Sequence, residues 1–587
     1  MAVTIEVKSL SALLSDISEV CTTLQIQNAN DKIVEAIAKG LDAPGLVGLN
    51  SNKAFRVYIV LPAGGADPDF FDQPEPPFAA ALPLSDDGKT YLASVAKAYR
   101  SSEKVNKLTL FKENIPDELD GRVDPDVYIA IEKGMAIAGP NGDIVKYVAD
   151  IIRKGATTRS AVESFNDTVR VDIDIQALKP LIEKSLADKP NMDMNGMPGM
   201  PYNPFEIMKA QGEAALKIIK SFRSYSIGIG VRGNAIELHT VLNTVDGTPL
   251  STILKKVVPP SDRYLSMMPS NTCFAMVFNG TQIMDEFLDP YLEMLETTYK
   301  AMGPDVEKSA AGIINTSREL KGAFLGDMAV GVITMPEGKG LGFVQVAAMK
   351  NPALIRKLFE QQVALQNQVL QNTMPGTTVK LNPPRKYADI EIISTTQSQD
   401  ETMGGGRPRM PGPFGSMMDF TSEMAFVGND VIYSVGKPET MNAAIDRLKK
   451  GGSRLDASQQ FKYNFPALKE KPVKLFTLSV IDLFKAFISG TPNANMDMIA
   501  LLPPASRGGL AGYSVMEGST DITTIKLDLE ETAAIGKSWP IVMGMMIQAA
   551  MSQGGGMGGG EGRQPGKKGG PSGGCINNLH LIDSAKE

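Results

Sequence analysis

The chain aligns on itself. Met135 to Phe165 (MAIAGPNGDIVKYVADIIRKGATTRSAVESF) falls without a gap on Val431 to Phe461 (VIYSVGKPETMNAAIDRLKKGGSRLDASQQF) at an offset of 296 positions, matching Asp150 with Asp446, Lys154-Gly155 with Lys450-Gly451, Ala161 with Ala457 and Phe165 with Phe461. A fixed offset between segments points to duplicated architecture before any fold is known. Both segments read as a short apolar strand, a turn with Gly and Pro, an amphipathic helix and a Lys-Gly stop, where basic side chains face the helix C-terminus and Gly takes the left-handed cap. The flanks recur in the same order. Val169-Arg170-Val171 matches Val473-Lys474-Leu475, and Thr4 to Ile17 corresponds to Phe274 to Phe287, each a strand, a polar Ser9 or Asn279 in N-cap position and a helix. Ser226 to Asn243 corresponds to Tyr513 to Glu530, two strands around a polar turn.

These matches divide the chain into two homologous units, residues 1–258 and 259–540. A short apolar helix over 541–553, a Gly-rich linker over 554–574 and a final segment over 575–587 follow. Strands joined by hairpins and helices following single strands favour α+β, each unit mainly an antiparallel sheet with packed helices, over a parallel doubly wound sheet. The clearest helix is Asn351 to Gln371, with Asn then Pro at its start and Leu354, Leu358, Val363, Leu365 and Val369 on one stripe.

Composition narrows the function classes. The net charge is −7, against a polyanion-binding surface, and nucleic acid is not an expected partner. With two histidines, His239 and His580, and three widely spaced cysteines, the residue types that most catalytic and metal sites use are scarce. The longest apolar run near the C-terminus, Pro540 to Ala550, falls well short of the roughly 20 residues of a membrane-spanning helix. The N-terminus has no basic and apolar stretch of a secretory signal, and both ends read as incomplete.

Five features carry candidate chemistry. Met192, Met194, Met197 and Met200 have the thioether spacing of a soft Cu(I) site, set against a general richness in methionine, 31 in all. Gly228, Gly230 and Gly233 spell GxGxxG, but the alternation of Ile236, Leu238, Thr240 and Leu242 after them reads as a strand, so no dinucleotide or other cofactor is expected. Asp117, Glu118, Asp120, Asp124 and Asp126 lack the spacing of a calcium loop, and Asp172 and Asp174 share a strand face that reads as solvated. His239 has only Glu237 near it in sequence as an acidic partner and reads as surface or cross-strand packing. No catalytic residue can be named.

The last thirteen residues, Cys575-Ile576-Asn577-Asn578-Leu579-His580-Leu581-Ile582 and on to Glu587, resemble a segment of pseudopilin-like proteins of the Planctomycetes, Verrucomicrobia and Lentisphaerae. The two large units resemble extracytoplasmic repeat proteins of the same bacteria, in the style of the DUF3352 group. The resemblance implies a bacterial envelope location, with the cytoplasm left open by the missing signal, and implies no reaction. The expectation is therefore a non-enzymatic envelope-associated binding or structural protein, partnered by a small ligand or another envelope protein. Two alternatives stand beside it: a hydrolase with an unlocated carboxylate pair, and a copper-binding protein using the methionine loop.

Overall fold

The structure is a computed structural model. It describes residues 2–26, 31–35, 48–61, 78–86, 90, 99–105, 108–113, 127–155, 161–187, 216, 218–261, 263, 267–269, 272–301, 304–334, 341–373, 377–399, 421–451, 455–465, 471–489 and 499–554. The first half holds strands β1 (Val3–Val7), β2 (Phe55–Ile59), β3 (Phe78–Pro83), β4 (Tyr99–Val105), β5 (Leu108–Glu113), β6 (Tyr128–Glu132), β7 (Met135–Gly139), β8 (Val169–Asp174), β9 (Phe222–Arg232) and β10 (Ala235–Thr244). Its helices are α1 (Leu10–Leu24), α2 (Gly142–Lys154), α3 (Ile175–Ala187) and α4 (Pro249–Leu254). The second half holds β11 (Thr272–Asn279), β12 (Phe324–Thr334), β13 (Leu341–Met349), β14 (Thr377–Leu381), β15 (Arg385–Tyr387), β16 (Ile390–Gln399), β17 (Thr421–Val427), β18 (Asp430–Gly436), β19 (Lys474–Leu478), β20 (Leu510–Glu517) and β21 (Thr520–Asp528). Its helices are α5 (Thr281–Ala301), α6 (Pro304–Arg318), α7 (Pro352–Thr373), α8 (Pro438–Lys450), α9 (Gln459–Asn464), α10 (Val480–Ser489) and α11 (Leu529–Gly554).

The chain is mixed α+β, and every described strand pairing is antiparallel. Instead of the expected sheet in each unit there is one sheet. From one edge the first half runs β4, β5, β6, β7, β3, β2, β1, β8, β9, β10. There β10 pairs with β21 over nine residues, and the order continues β20, β19, β11, β12, β13, β18, β17, β16, with β14 and β15 on the outer side of β16. Each half on its own would leave β10 or β21 as an edge with unpaired N–H and C=O groups. Joining the two removes both edges.

The turns obey local chemistry. Between β9 and β10, Gly233 (φ 55°) and Asn234 (φ 68°) both take the left-handed conformation of a type I′ hairpin, in which the glycine carries no steric cost. Ser9 caps α1 by accepting from the Ala12 N–H, and Gly155 ends α2 with φ 67°. Asn279, expected as the N-cap, is the last residue of β11, and α5 begins at Thr281, which leaves Gly280 between them. The apolar helix expected over 541–553 is the second part of α11, which starts at Leu529. Among the described residues no helix is long and apolar enough to cross a membrane.

Side chains alternate between the two sheet faces. One cross-strand row on the first face runs Ala130, Ile137, Ala81, Arg56, Glu6, Arg170, Gly228, His239, Thr524, Tyr513, Leu475, Val277, Ala329, Val346, Ile432, Ala425. It is apolar toward both ends and polar in the middle. Val145, Val148 and Ala149 of α2 cover one apolar end, and Met441, Ala444 and Ile445 of α8 cover the other. The opposite face of the second half is covered by α7, whose Ile355 and Leu358 pack with Met328, Ala347, Met424 and Val431.

Candidate functional site

Helix α7 forms the roof of the site. The Asn351 side chain accepts from the Leu354 N–H at its start, and Pro352 occupies a first-turn position where its missing donor costs nothing. Ile355, Leu358 and Val363 are buried, each worth about 1.5–3 kcal/mol relative to exposure. Two polar anchors fix the roof over the sheet. The Arg356 guanidinium binds Glu391 of β16 at 2.5 Å, and this hydrogen bond holds the Glu391 carboxyl below its ordinary range. Farther along, the Asn367 amide accepts from the Val379 N–H and donates to the Val379 carbonyl of β14, both at 2.6 Å.

Between this roof and the sheet lies a cavity of about 700 Å³, within the range of about 300–1,000 Å³ typical of small-molecule pockets. Its lining is graded. Under the first turns of α7 it is apolar, with Phe324, Ala347, Met349, Ile355 and Phe359; under the later turns Gln345, Thr395, Ser422 and Tyr433 stand on the floor and the exposed Gln362 and Gln366 at the rim, among the apolar Val363, Val379 and Val435. Floor register brings the polar group together: Gln345 faces Tyr433, Thr395 faces Ser422, and the Tyr433 hydroxyl donates to Ser422 Oγ at 3.3 Å. Among the described residues, none that lines the cavity is Asp, Glu, Lys, Arg, His or Cys.

A second cluster sits where the halves meet. His239, expected at the surface or in simple cross-strand packing, is 3% exposed and its Nδ1 lies 2.9 and 3.1 Å from the two oxygens of the fully buried Asp167. Phe165 stacks on the imidazole at 4.2 Å. Arg232 bridges Asp167 (3.1 Å) and Glu237 (3.3 Å), while Lys526 of β21 reaches Glu237 at 2.8 Å across the seam. The glycines of the GxGxxG spelling serve this cluster. A Cβ at Gly228 would collide with the Asp167 carboxylate, and Gly230 lies against the same aspartate, so the motif makes room for a chain crossing within strand and hairpin.

Asp172 accepts from Ser226 Oγ at 2.6 Å, and Asp174 accepts from the Ala177 N–H at the start of α3, so both have local structural work. Phe165 and Phe461, matched by the 296 offset, are both half-buried, and Phe461 packs on Phe465 at 4.9 Å where Phe165 packs on His239. Met192, Met194, Met197 and Met200, the acidic residues 117–126 and residues 575–587 lie outside the described residues. Among the described residues no group of three or more His, Cys, Asp or Glu could hold a metal ion. Cys273 is buried, and desolvation with the nearby Asp482 carboxylate pushes its thiol up to about 12, which makes it a poor nucleophile. No protein-family model, curated protein or solved structure matches the chain.

Proposed function

We propose that this is a non-enzymatic binding protein whose small ligand occupies the cavity beneath α7. The observation that carries the reading is the cavity lining, concave, largely apolar and, among the described residues, without a carboxylate, imidazole, amine or thiol. Acid–base and nucleophilic catalysis need such groups at the reacting atoms, whereas binding needs apolar area and a few placed polar groups. The ionisable groups collected at Asp167 and His239 are paired with one another, which suits a structural junction.

The same proposal takes the halves as two copies of one α+β unit. It is supported by the strand order, which reads alike outward from the β10–β21 seam, and by the like succession of β7, α2, β8, α3 and β18, α8, β19, α10, the second interrupted by the short α9. Placement in a bacterial envelope and kinship with the DUF3352 group rest on the sequence resemblance and belong to the proposal too.

Titration with an uncharged naphthylamine dye tests the site. Saturable fluorescence enhancement at one dye per chain is expected, and Ala347→Phe, which puts a ring into the cavity from its floor, should abolish it while the protein stays folded by circular dichroism. Undiminished saturable binding by folded Ala347→Phe protein would place the ligand elsewhere.

A further inference from the structure

The grading of the cavity says which chemistry it takes. We infer that the ligand is an uncharged amphiphile, an apolar chain ending in a hydroxyl or similar neutral head, held with the head at Tyr433 and Ser422; this rests on the binding reading above.

The argument starts from the ends of the roof. From Ile355 to Gln366 the helix advances about 16 Å at 1.5 Å per residue. Over that length the lining passes from the apolar Ile355, Phe359 and Met349 to a mixed end where Gln366, Ser422 and Tyr433 stand among Val363, Val379 and Val435. An apolar molecule without a head would leave the polar floor groups facing hydrocarbon and deprived of water, which is unfavourable for each of them. A wholly polar molecule would forgo the apolar end. Only a molecule with both characters matches both ends.

The head must be neutral. A carboxylate, phosphate or ammonium carried into the cavity would meet no opposite charge on the lining side chains among the described residues. Burial of an unpaired charge is far costlier than burial of a hydrogen-bonded hydroxyl. The nearest arginine on the roof helix, Arg356, is already engaged by Glu391 and Glu360. The floor offers a hydroxyl both halves of a hydrogen-bond pair. Because Tyr433 gives its proton to Ser422 Oγ, the Tyr433 oxygen keeps lone pairs to accept with and the Ser422 hydroxyl keeps its own proton to donate.

Displacement of the bound naphthylamine dye from the full-length protein at neutral pH, with decanol and decanoate as competitors of equal chain length, tests this. Decanol should displace the dye at least about tenfold more tightly than decanoate, the charged head being left without a partner. Tyr433→Phe and Ser422→Ala should each weaken decanol about fivefold, roughly one hydrogen bond, once displacement is referred to the dye affinity of the same variant. Decanoate binding as well as or better than decanol overturns the neutral head and leaves the binding reading in place. Decanol preferred but indifferent to both substitutions overturns the placement of the head. Failure of the dye and both competitors to bind removes the binding reading and this inference with it.

Discussion

Asp521 stands on β21 with Leu242 facing it on one neighbouring strand and Met516 on the other. Burial between these apolar neighbours raises its carboxyl above the ordinary value, against the opposing pull of the Thr523 hydroxyl and Lys474. The sign follows by linkage: with the folded-state value raised, the favourable contribution of the protonated acid is full below the unfolded value and is lost as pH rises through the folded one. At neutral pH the carboxylate therefore weakens the fold. Asp521→Asn should raise the melting temperature at pH 7 and lose that advantage at a pH below the carboxylate range; a variant equally or less stable at pH 7 would contradict it. Residues of this kind are invisible in sequence because their neighbours come from other strands. The Asp167–His239 pair shows the same limit, the partners being separated by 72 positions. Its trace in the sequence was the pair of glycines two apart on β9, whose place in a strand rather than a dinucleotide loop was legible and whose purpose, space for Asp167, was not.

At the scale of the element, local pattern and tertiary anchoring divide the information. The start of α7 was legible from Asn351-Pro352 and its stripe from the spacing of Leu358 and Val363, and the hairpin of β9 and β10 from alternation around Gly233-Asn234. The start of α11 was passed over although Asp528 accepts from the Glu531 N–H and the acidic first turn suits a helix N-terminus, because β21 runs into the helix without a turn between them. Glu531 there is fully buried and accepts from the N–H groups of Ile481 and Ser506, a tertiary satisfaction that no periodicity announces. The cavity was equally hidden, its lining coming from α7 and several strands far apart in the chain. The roof, once formed, depends on single polar anchors. Asn367→Ala deletes two hydrogen bonds to Val379 and leaves that backbone pair without its partner, a loss of roughly 1–3 kcal/mol. Hydrogen exchange should then speed up in residues 352–373 more than in the strands beneath, because opening of the roof is a local event. Unchanged protection along α7 would mean that apolar contact alone holds it.

For the whole molecule, the offset of 296 raised the expectation of two like units, while the merging of the halves into one sheet depends on which edges meet, and edge pairing leaves no local mark in sequence. The seam has several fastenings besides the β10–β21 ladder. Lys526 pairs with Glu237, the Leu529 N–H donates to the Asn234 carbonyl, and the Thr520 hydroxyl donates to Asn243 Oδ1. Helix α11, from the second half, packs against α1 of the first and carries Trp539, the single tryptophan of the chain. A defect in the first half should therefore be felt at Trp539. Gly228→Ala forces the Asp167 segment off the sheet and is expected to cost about 1–3 kcal/mol, as overpacking does in a filled interior. If the seam makes the halves one cooperative body, the variant lowers the denaturant midpoint read by Trp539 fluorescence as much as the midpoint read by far-ultraviolet circular dichroism. Were the halves to unfold separately, Trp539 would keep its midpoint while the dichroism curve split in two, and the continuous sheet would then be a junction of two independently stable bodies.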